Sequence, residues 1–372
     1  MRKSPRGEGD GVRAGHSSVT IRDVARRAGV STATVSRAIA NPDRVAKATR
    51  EAVFSAIAAT GFTPNAAARS LRARSTKMVL ALLPGIGNSF YTPILNAVEE
   101  VLSLAGYGMI MGDTRRDRTR ETHYHLLVRA GQVDGVLLLT GRLPHPDFAA
   151  LNDTVPIALV CNDIPGLKSL PVIEIENHEA AQTIVTYLIG LGHRRIAHAI
   201  GPADNVESAY RQSGYRAALV AAGFPVDESI IWQGAFTFEA GVRVGEAFLA
   251  HPDRPTALFA ANDEMALGFI KTIKDAGLSV PEDVSVVGFD DIEYARYFDP
   301  ALTTMHQPRD ELGRLAAENL LTRMSGGGTT LPHRVRLPCR LVVRSSATAP
   351  RAGARERKPA AARAAAVPGA LA

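Results

Sequence analysis

From Met78 onwards, short apolar runs alternate with longer stretches of amphipathic, helix-like sequence. Each run is closely followed by Gly, Asn, Asp or Pro, and each is too short to form a helix of typical length. Apolar runs of this kind form strands that are buried on both faces, because helices cover both sides of a parallel sheet. The runs lie at residues 78–83, 109–111, 136–139, 157–160, 172–175, 196–200, 257–260 and 284–289. The sequence therefore predicts an α/β fold built from parallel sheets.

The residues before Met78 and after residue 349 follow other patterns. Residues 1–18 are rich in Gly, Arg and Ser without hydrophobic periodicity, which is typical of a disordered arm. Residues 19–63 contain three helical patterns, and residues 64–77 contain a short helix and a polar basic linker. Residues 350–372 are rich in Ala, Pro and Arg and predict a disordered tail. We therefore expect a small helical domain and a hinge, followed by a large core at residues 78–349.

The positive charge of the chain is concentrated at its ends. Residues 1–77 carry 15 Lys and Arg against 5 Asp and Glu, whereas residues 78–349 carry 23 against 31. A basic module on a mildly acidic body indicates an anionic partner for that module alone. The alternative is a basic arm that serves only solubility.

Several classes of protein are excluded by what the sequence lacks. It has no run of about 18 apolar residues that would span a membrane, and its first residues do not resemble a secretory signal. Cys161 and Cys339 are too few for a disulfide framework or a structural zinc site, and they fit a cytoplasmic protein. No nucleophile elbow or phosphate-binding loop is present, so we expect neither an enzyme nor a bound cofactor or metal.

Two short helical patterns joined by a glycine form the centre of the small helical domain. Thr20 and Asp23 are placed to cap the first helix, Gly29 suits a tight turn, and Ser31 is placed to cap the second helix. Two helices joined in this way form a helix-turn-helix, whose second helix enters the major groove of DNA. A plain helical hairpin without DNA-binding activity is the alternative.

Particular side chains of this domain suit contacts with DNA. The hydroxyl groups of Ser31 and Thr34, together with helix N-terminal amides, can bind phosphate. Arg37 lies further along the same helix, where a guanidinium can donate two hydrogen bonds to a guanine edge. Leu71, flanked by arginines in the predicted hinge helix, suits an apolar wedge that kinks DNA from the minor groove.

Residues 19–77 resemble the DNA-binding headpiece and hinge of the lactose-repressor (LacI/GalR) family. The matching stretches are IRDVARRAGVSTATVSRAIANPDRVAKATREAV and GFTPNAAARSLRARST, to which the core adds NDEMALG and VSVVGFDDI. The resemblance extends over about residues 19–349 and, through GAFTFEAG and DPALTTMHQPRDELGR, is greatest to cytidine-responsive repressors of that family. It implies a transcriptional repressor that works as a homodimer on a palindromic, double-stranded operator.

The resemblance also implies roles for individual residues. Three residues lie where the family reads base edges: Thr32, Ala33 and Arg37. Four residues lie where the headpiece contacts phosphates: Thr20, Ser31, Thr34 and Asn41. Three hinge residues lie where the family enters the minor groove, with the second as the wedge: Ala68, Leu71 and Arg72.

The core resembles periplasmic solute-binding proteins, in which a ligand lies between two α/β lobes connected by three crossings. By that analogy, lobe one comprises residues 78–176 and 304–332, and lobe two comprises residues 177–303 and 333–349. Ligands of such sheets bind beyond the carboxyl ends of the strands. The candidate effector contacts are Phe90, Tyr91, Asn162, Arg211, Phe236, Asn262 and Asp290. We expect the neighbouring Asp263 to cap a helix.

The residue types in this set favour a small polar effector with an aromatic ring. Arg211, Asn262 and Asp290 supply donors and acceptors for sugar hydroxyls, and an aromatic side chain would pack on a base. This combination suits a nucleoside, with cytidine first and a sugar or a purine base as alternatives. The Asn205–Ser208 loop departs from both the purine-type and the cytidine-type relatives, which leaves the effector open. The cytidine-type likeness implies that the effector releases the repressor from DNA.

Two other functions are weaker interpretations of the same sequence. A solute-binding protein shares the core fold, but the fused headpiece and the lack of an export signal argue against it. An enzyme would need a paired nucleophile and base, which no motif here provides.

Overall fold

The computed structural model describes residues 19–63, 75–142, 148–152, 154–164, 167, 169–327 and 332–351. The chain divides into two compact units between Thr76 and Lys77. We call residues 19–63 the headpiece and residues 77–351 the core. The predicted arm, the predicted hinge helix and the tail from residue 352 lie outside the described residues.

Within the headpiece lie three helices, α1 (Ile21–Ala28), α2 (Thr32–Ala40) and α3 (Lys47–Thr60). The backbone N–H of Thr20 donates to the Asp23 carboxylate at 2.9 Å, which anchors the start of α1. Gly29 follows α1 with a φ of 67°, a left-handed conformation that glycine adopts without steric cost. Ser31 caps α2 by accepting a hydrogen bond from the Thr34 N–H at 3.1 Å. The predicted helix-turn-helix is thereby confirmed.

A small apolar core holds the three helices together. Two buried residues come from each helix, and they are Val24, Ala25, Val35, Ala38, Val53 and Ala56. Because these side chains are small, each contributes a modest hydrophobic stabilisation. The opposite face of α2 is left exposed.

Lobe one of the core is built on a parallel sheet. Its strands are β1 (Met78–Leu83), β2 (Gly108–Asp113), β3 (Gly135–Leu138), β4 (Ile157–Cys161), β5 (Val172–Ile175) and β11 (Arg334–Leu337). They lie in the order β11-β5-β4-β3-β1-β2, and every neighbouring pair is parallel. The accompanying helices are α4 (Tyr91–Leu104), α5 (Arg118–Arg129), α6 (Phe148–Leu151) and α12 (Arg309–Met324). β3, β4 and β5 are buried along their whole length, as expected of strands covered on both faces.

Lobe two is built on a second parallel sheet. Its strands are β6 (Ile196–Ile200), β7 (Ile231–Gln233), β8 (Ala257–Ala260) and β9 (Ser285–Val287), in the order β7-β6-β8-β9. All three neighbouring pairs are parallel. Its helices are α7 (Asn177–Gly190), α8 (Val206–Ala221), α9 (Phe238–Ala250), α10 (Asp263–Asp275) and α11 (Tyr294–Tyr297). The prediction of an α/β core with parallel sheets is confirmed.

The chain segments after lobe two differ from the predicted boundaries. β10 (Thr304–His306) and β12 (Arg340–Val342) form an antiparallel ribbon. The assignment of residues 333–349 to lobe two is wrong at its start, because Arg334–Leu337 pairs with β5 and extends the sheet of lobe one. After β12 the chain is bound to lobe two, where the Val286 N–H donates to the Ser346 carbonyl at 2.8 Å.

The predicted start of the tail is also wrong by two residues. Arg351 forms an ion pair with Asp283 at 2.9 Å, and the carbonyl of Thr348 accepts from the Ser285 hydroxyl at 3.0 Å. Because of these contacts, the chain stays bound to lobe two as far as residue 351.

Candidate functional site

The candidate DNA-binding surface is the exposed face of α2. Thr32, Ala33 and Arg37 are exposed there, whereas Val35 and Ala38 are fully buried on the opposite face. The exposed side chains border a shallow depression, which is lined by Ile21, Arg22, Thr32, Ala33, Ser36, Arg37, Ala40 and Asn41. Because the first residues of α2 are small, a broad partner such as a DNA groove can approach its N-terminus closely.

The hydroxyl groups predicted to contact phosphate are engaged to different degrees. The Ser31 and Thr34 hydroxyls hydrogen-bond each other at 2.9 Å, which uses one hydroxyl proton and leaves the other for a phosphate oxygen. The Thr20 hydroxyl instead donates to the Asp23 carboxylate at 2.7 Å. Hydrogen bonds from Thr20 lower the pKa of Asp23, so a charged carboxylate lies where a phosphate would have to approach. We therefore assign Thr20 to the start of α1 rather than to phosphate binding.

Basic side chains outnumber acidic side chains in the headpiece. Residues 19–63 contain seven Lys and Arg against three Asp and Glu. The ion pairs found within residues 19–63 join Asp23 to Arg26 at 3.5 Å and Asp43 to Arg50 at 3.4 Å. Neither pair uses Arg37, whose exposed guanidinium is available to a ligand. Such a surface attracts a polyanion.

The three residues predicted to enter the minor groove, Ala68, Leu71 and Arg72, lie outside the described residues. Their roles stay predictions from the sequence.

Arg211 is the central residue of a buried polar cluster in the core. Its Nε donates to Oδ1 of Asn177 at 2.8 Å, and its Nη1 donates to the carbonyl of Ala261 at 2.6 Å. The guanidinium carbon lies 3.9 Å from the centroid of the Phe289 ring. With only 2% of its surface exposed, this cation is held in one orientation and can act as a rigid array of donors.

Asp290 faces Arg211 and is itself buried. Its Oδ1 accepts a hydrogen bond from Nε2 of Gln307 at 2.7 Å and lies 3.6 Å from Nη1 of Arg211. Burial raises the pKa of Asp290 well above its usual value, although the charge of Arg211 opposes the shift. Its φ of 123° is strained for a residue with a side chain, and its N–H is held by the carbonyl of Met305 at 2.9 Å. Strained residues of this kind cluster at functional sites.

Phe236 and Asn262 lie beside this pair. The Phe236 ring rests on Gly201, where an added side-chain carbon would lie 2.3 Å from the ring, and its centroid is 5.6 Å from the guanidinium carbon of Arg211. Oδ1 of Asn262 accepts from the N–H of Met265 at 3.1 Å, and Nδ2 donates to the Phe236 carbonyl at 3.2 Å. These bonds let Asn262 position Phe236, and they leave the second N–H of its Nδ2 for another acceptor. The effector contact expected of Asn262 stays a prediction.

The cap of α10 is therefore Asn262, and the cap role predicted for Asp263 is wrong. Asp263 is fully buried, where its carboxylate accepts from the Thr304 hydroxyl at 2.5 Å and from the Ile292 N–H at 2.9 Å. Burial raises its pKa to about 6. These bonds tie the start of α10 to the loop after β9 and to β10.

Lobe one contributes Phe90, Tyr91 and Asn162 to the same cluster. The rings of Phe90 and Tyr91 meet edge to face with their centroids 5.1 Å apart, and the Tyr91 hydroxyl donates to the Leu139 carbonyl at 3.5 Å. Burial, and then the negative charge of Glu207, raise the pKa of Tyr91 well above its usual value. Asn162 follows β4 and donates from Nδ2 to Oε1 of Glu207 at 3.5 Å, which joins the two lobes.

Three further residues of the cluster were not among the predicted contacts. Glu207 lies in the first turn of α8, and the unusual Asn205–Ser208 loop was the signal that could have found it. Gln307 is 1% exposed and donates to Asp290, and Arg309 lies 5.9 Å from the Phe90 ring centroid. For Gln307 and Arg309 the signal was the stretch DPALTTMHQPRDELGR, which carries the family resemblance, but β10 before them is too short to recognise as a strand.

The two lobes are in contact next to the cluster. Arg116 and Arg142 of lobe one both form ion pairs with Asp204 of lobe two. The carbonyl of Gly141 accepts from the Val206 N–H at 3.3 Å. The polar side chains of the cluster are almost fully buried. An effector therefore reaches them only when the lobes separate.

The described residues contain neither a cluster of metal ligands nor a helix that could cross a membrane. Nowhere in that part of the chain are three or more His, Cys, Asp or Glu side chains arranged to hold a metal ion. Nor does any helix there combine the length and the apolar character that crossing a bilayer requires.

Comparison with known proteins relates both units to one family. Residues 20–65 match bacterial regulatory proteins of the lacI family, and residues 185–347 match the periplasmic binding protein-like domain. The HTH-type transcriptional repressor CytR of Escherichia coli (strain K12) is 38% identical over 333 residues, which are 90% of this chain and 97% of the relative.

Solved structures agree with this relationship. The lac repressor dimer bound to operator and the anti-inducer ONPF matches with a TM-score of 0.77 and 28% identity, over 89% of this chain and 99% of that one. The complex of the transcriptional regulator CelR with cellobiose matches with a TM-score of 0.67 and 34% identity, over 88% of this chain and 99% of that one. The chain belongs to the LacI family of bacterial regulatory proteins and is a DNA-binding transcriptional repressor with an effector-binding core.

Proposed function

We propose that this protein binds a palindromic operator as a homodimer and that a nucleoside, with cytidine first, binds the buried polar cluster and controls the affinity for DNA. The observation that carries the proposal is the buried ion pair of Arg211 and Asp290, in a cluster where Glu207 contacts Asn162 of lobe one. The same chain leaves one face of α2 exposed. Ionisable side chains buried in this way, beside strained backbone, favour a ligand site over a purely structural role.

In the headpiece, we assign base recognition to Thr32, Ala33 and Arg37 on the exposed face of α2. The remaining hydroxyl proton of Ser31 or Thr34 would bind phosphate, together with the amides at the start of α2. The exposed Asn41 at the end of α2 would contact a second phosphate.

Replacing Arg37 by alanine tests the DNA-binding half of the proposal. The operator is first selected from random duplexes by the full chain. We expect Arg37→Ala to lose about 1–3 kcal/mol of binding free energy that depends on one base pair, with little change in discrimination at the other base pairs. Binding to single-base variants of the operator measures this. Lys271→Ala, which removes an exposed positive charge from the core, is the control and should leave binding unchanged. A loss that is equal for all sequences would make Arg37 a phosphate contact instead.

A nucleoside suits the cluster because it joins a ring to a hydroxyl-rich sugar. Asp290 can accept from two hydroxyls, the Arg211 fork can donate to a ring or hydroxyl oxygen, and Phe90 or Phe236 can pack on the base. The similarity to CytR supports the same choice. The similarity to CelR, which was solved with cellobiose, makes a sugar the second candidate.

The effector would act on DNA binding through the lobes. Its binding changes how the two lobes meet, and a coupling of about 1–3 kcal/mol would change operator affinity roughly 5- to 150-fold. We propose that effector binding releases the repressor from the operator, which the similarity to CytR favours. Measuring the operator affinity with and without the effector shows whether the effector weakens or strengthens DNA binding.

Thermal unfolding of the full chain tests the effector. We would compare cytidine, uridine, adenosine, ribose, hypoxanthine and several hexoses. A ligand at 100 times its dissociation constant adds about 2.7 kcal/mol, which raises the melting temperature by several degrees. A shift with nucleosides supports the proposal. A shift with sugars or purine bases alone would replace the nucleoside and keep the repressor.

A further inference from the structure

The polar side chains between the lobes leave acceptors unpaired. The amino group of Asn162 faces Glu207 at 3.5 Å, and that of Gln307 faces Asp290 at 2.7 Å. Among the described residues, the other ends of these amides, Oδ1 of Asn162 and Oε1 of Gln307, are buried without a hydrogen-bond partner. Because an unpaired buried polar atom is costly, a folded protein tends to keep one where another molecule supplies the partner.

Glu207 adds a carboxylate to this set of acceptors. It lies in lobe two, is 8% exposed, and meets Asn162 of lobe one across the boundary. At 3.5 Å this contact is longer than a typical hydrogen bond, so it is weak and easily exchanged. A donor that reaches both the Glu207 carboxylate and Oδ1 of Asn162 would give Glu207 a closer partner and would pair the Asn162 oxygen.

We propose that Glu207 and Asn162 together select an effector that carries an amino group on a heteroaromatic ring. This inference rests on the proposed nucleoside effector and narrows it to bases such as cytosine and adenine. One N–H of the amino group would be donated to the Glu207 carboxylate and the other to Oδ1 of Asn162. The amino group would thus join lobe two to lobe one.

A base with a keto oxygen at the same place fits poorly. Uracil and hypoxanthine would direct an acceptor at the Glu207 carboxylate, which repels it and has no proton to donate. Asn162 can turn its amino group towards a keto oxygen, so the main penalty against a keto base falls at Glu207. The ribose contacts proposed for Arg211 and Asp290 are the same for both kinds of nucleoside. Discrimination would therefore arise at the base alone.

The test compares two matched pairs of nucleosides, cytidine with uridine and adenosine with inosine. Within each pair the principal change is from an amino to a keto group. Isothermal titration of the full chain measures the affinity for each nucleoside. Wherever a pair binds, we expect the amino member to bind about 10–100 times more tightly than the keto member. Equal affinity, or a preference for the keto member, would overturn the inference and leave a nucleoside repressor. No binding by any of the four would overturn the proposed nucleoside as well.

Glu207→Gln provides a second readout. A glutamine has the same shape and can turn its amino group towards a keto oxygen, so the preference for the amino member should fall at least about tenfold. Glu228→Gln, which removes an exposed negative charge from the same lobe, is the control and should keep the preference. An unchanged preference in Glu207→Gln would contradict the role of Glu207. The wild-type comparison decides the proposal even if this variant does not fold.

Discussion

Replacing Arg211 by methionine is expected to destabilise lobe two by about 3–5 kcal/mol. The guanidinium is almost fully buried and holds Asn177, the Ala261 carbonyl and Asp290 at once. Its removal takes the ion-pair partner from the buried Asp290 carboxylate and a hydrogen-bond donor from the Ala261 carbonyl. Urea unfolding can be followed through Trp232, the single tryptophan of the chain, which lies in β7 of lobe two.

The pH dependence of the stability of Arg211→Met tests whether the buried charge of Asp290 causes the loss. Burial already raises the pKa of Asp290 in the folded state, and the loss of Arg211 removes an opposing charge. A carboxyl with a raised folded pKa favours folding at low pH, and that contribution is lost as pH rises through the folded pKa. The loss of unfolding free energy caused by Arg211→Met should therefore be larger at pH 8 than at pH 5.

A matched surface variant serves as the control for Arg211. Arg216 lies in the same helix and pairs with Glu228, but its side chain is 36% exposed. Arg216→Met should cost no more than about 1 kcal/mol. Similar losses for both variants would mean that Arg211 does not carry an essential buried charge.

Replacing Gly241 by valine is expected to cost about 3 kcal/mol, the upper part of the usual range for overpacking. Gly241 of α9 lies against α10, and a side-chain carbon there would be 2.1 Å from the Met265 carbonyl oxygen. The contact is reciprocal, since a carbon on Gly268 would be 2.2 Å from the Phe238 carbonyl oxygen. These neighbours are backbone atoms, so only a separation of the two helices makes room. The same separation should weaken effector binding, because these helices position Phe236.

Gly190 provides the control for this substitution. It is the last residue of α7, it is exposed, and a side-chain carbon there meets no atom within 4 Å. Gly190→Val should change stability by less than about 0.5 kcal/mol, since valine and glycine differ little in helix propensity. The Trp232 unfolding transition compares the two variants. A small effect at Gly241 would show that α9 and α10 can move apart without loss.

The headpiece could be predicted almost entirely from the sequence. Thr20 with Asp23, Gly29 and Ser31 each act on their own helix end, and the signals for these contacts lie within four residues along the chain. Most parallel strands of the core were predicted for a similar reason, whereas β7 and β11, which are partly exposed, were not. Runs buried on both faces are apolar throughout, and their composition alone reveals them.

The candidate effector site was only partly predictable. Arg211 and Asp290 followed from their places after strands, and the structure brings them within 3.6 Å of each other. Whether Asn262 or the adjacent Asp263 caps α10 depends on Thr304, which lies 41 residues away and binds Asp263 instead. No local pattern carries that information.

The sequence by itself determined the helix-turn-helix and the α/β character of the core, because helix caps and strand burial depend on neighbouring residues. Only the tertiary structure decided that Arg334–Leu337 joins lobe one and that Glu207 faces Asn162. Both outcomes depend on residues far apart in the chain, the strand partner at Val172–Ile175 and the meeting of two lobes. A strand's partner and a buried acid's neighbour are set by packing, and the chain must fold before either exists.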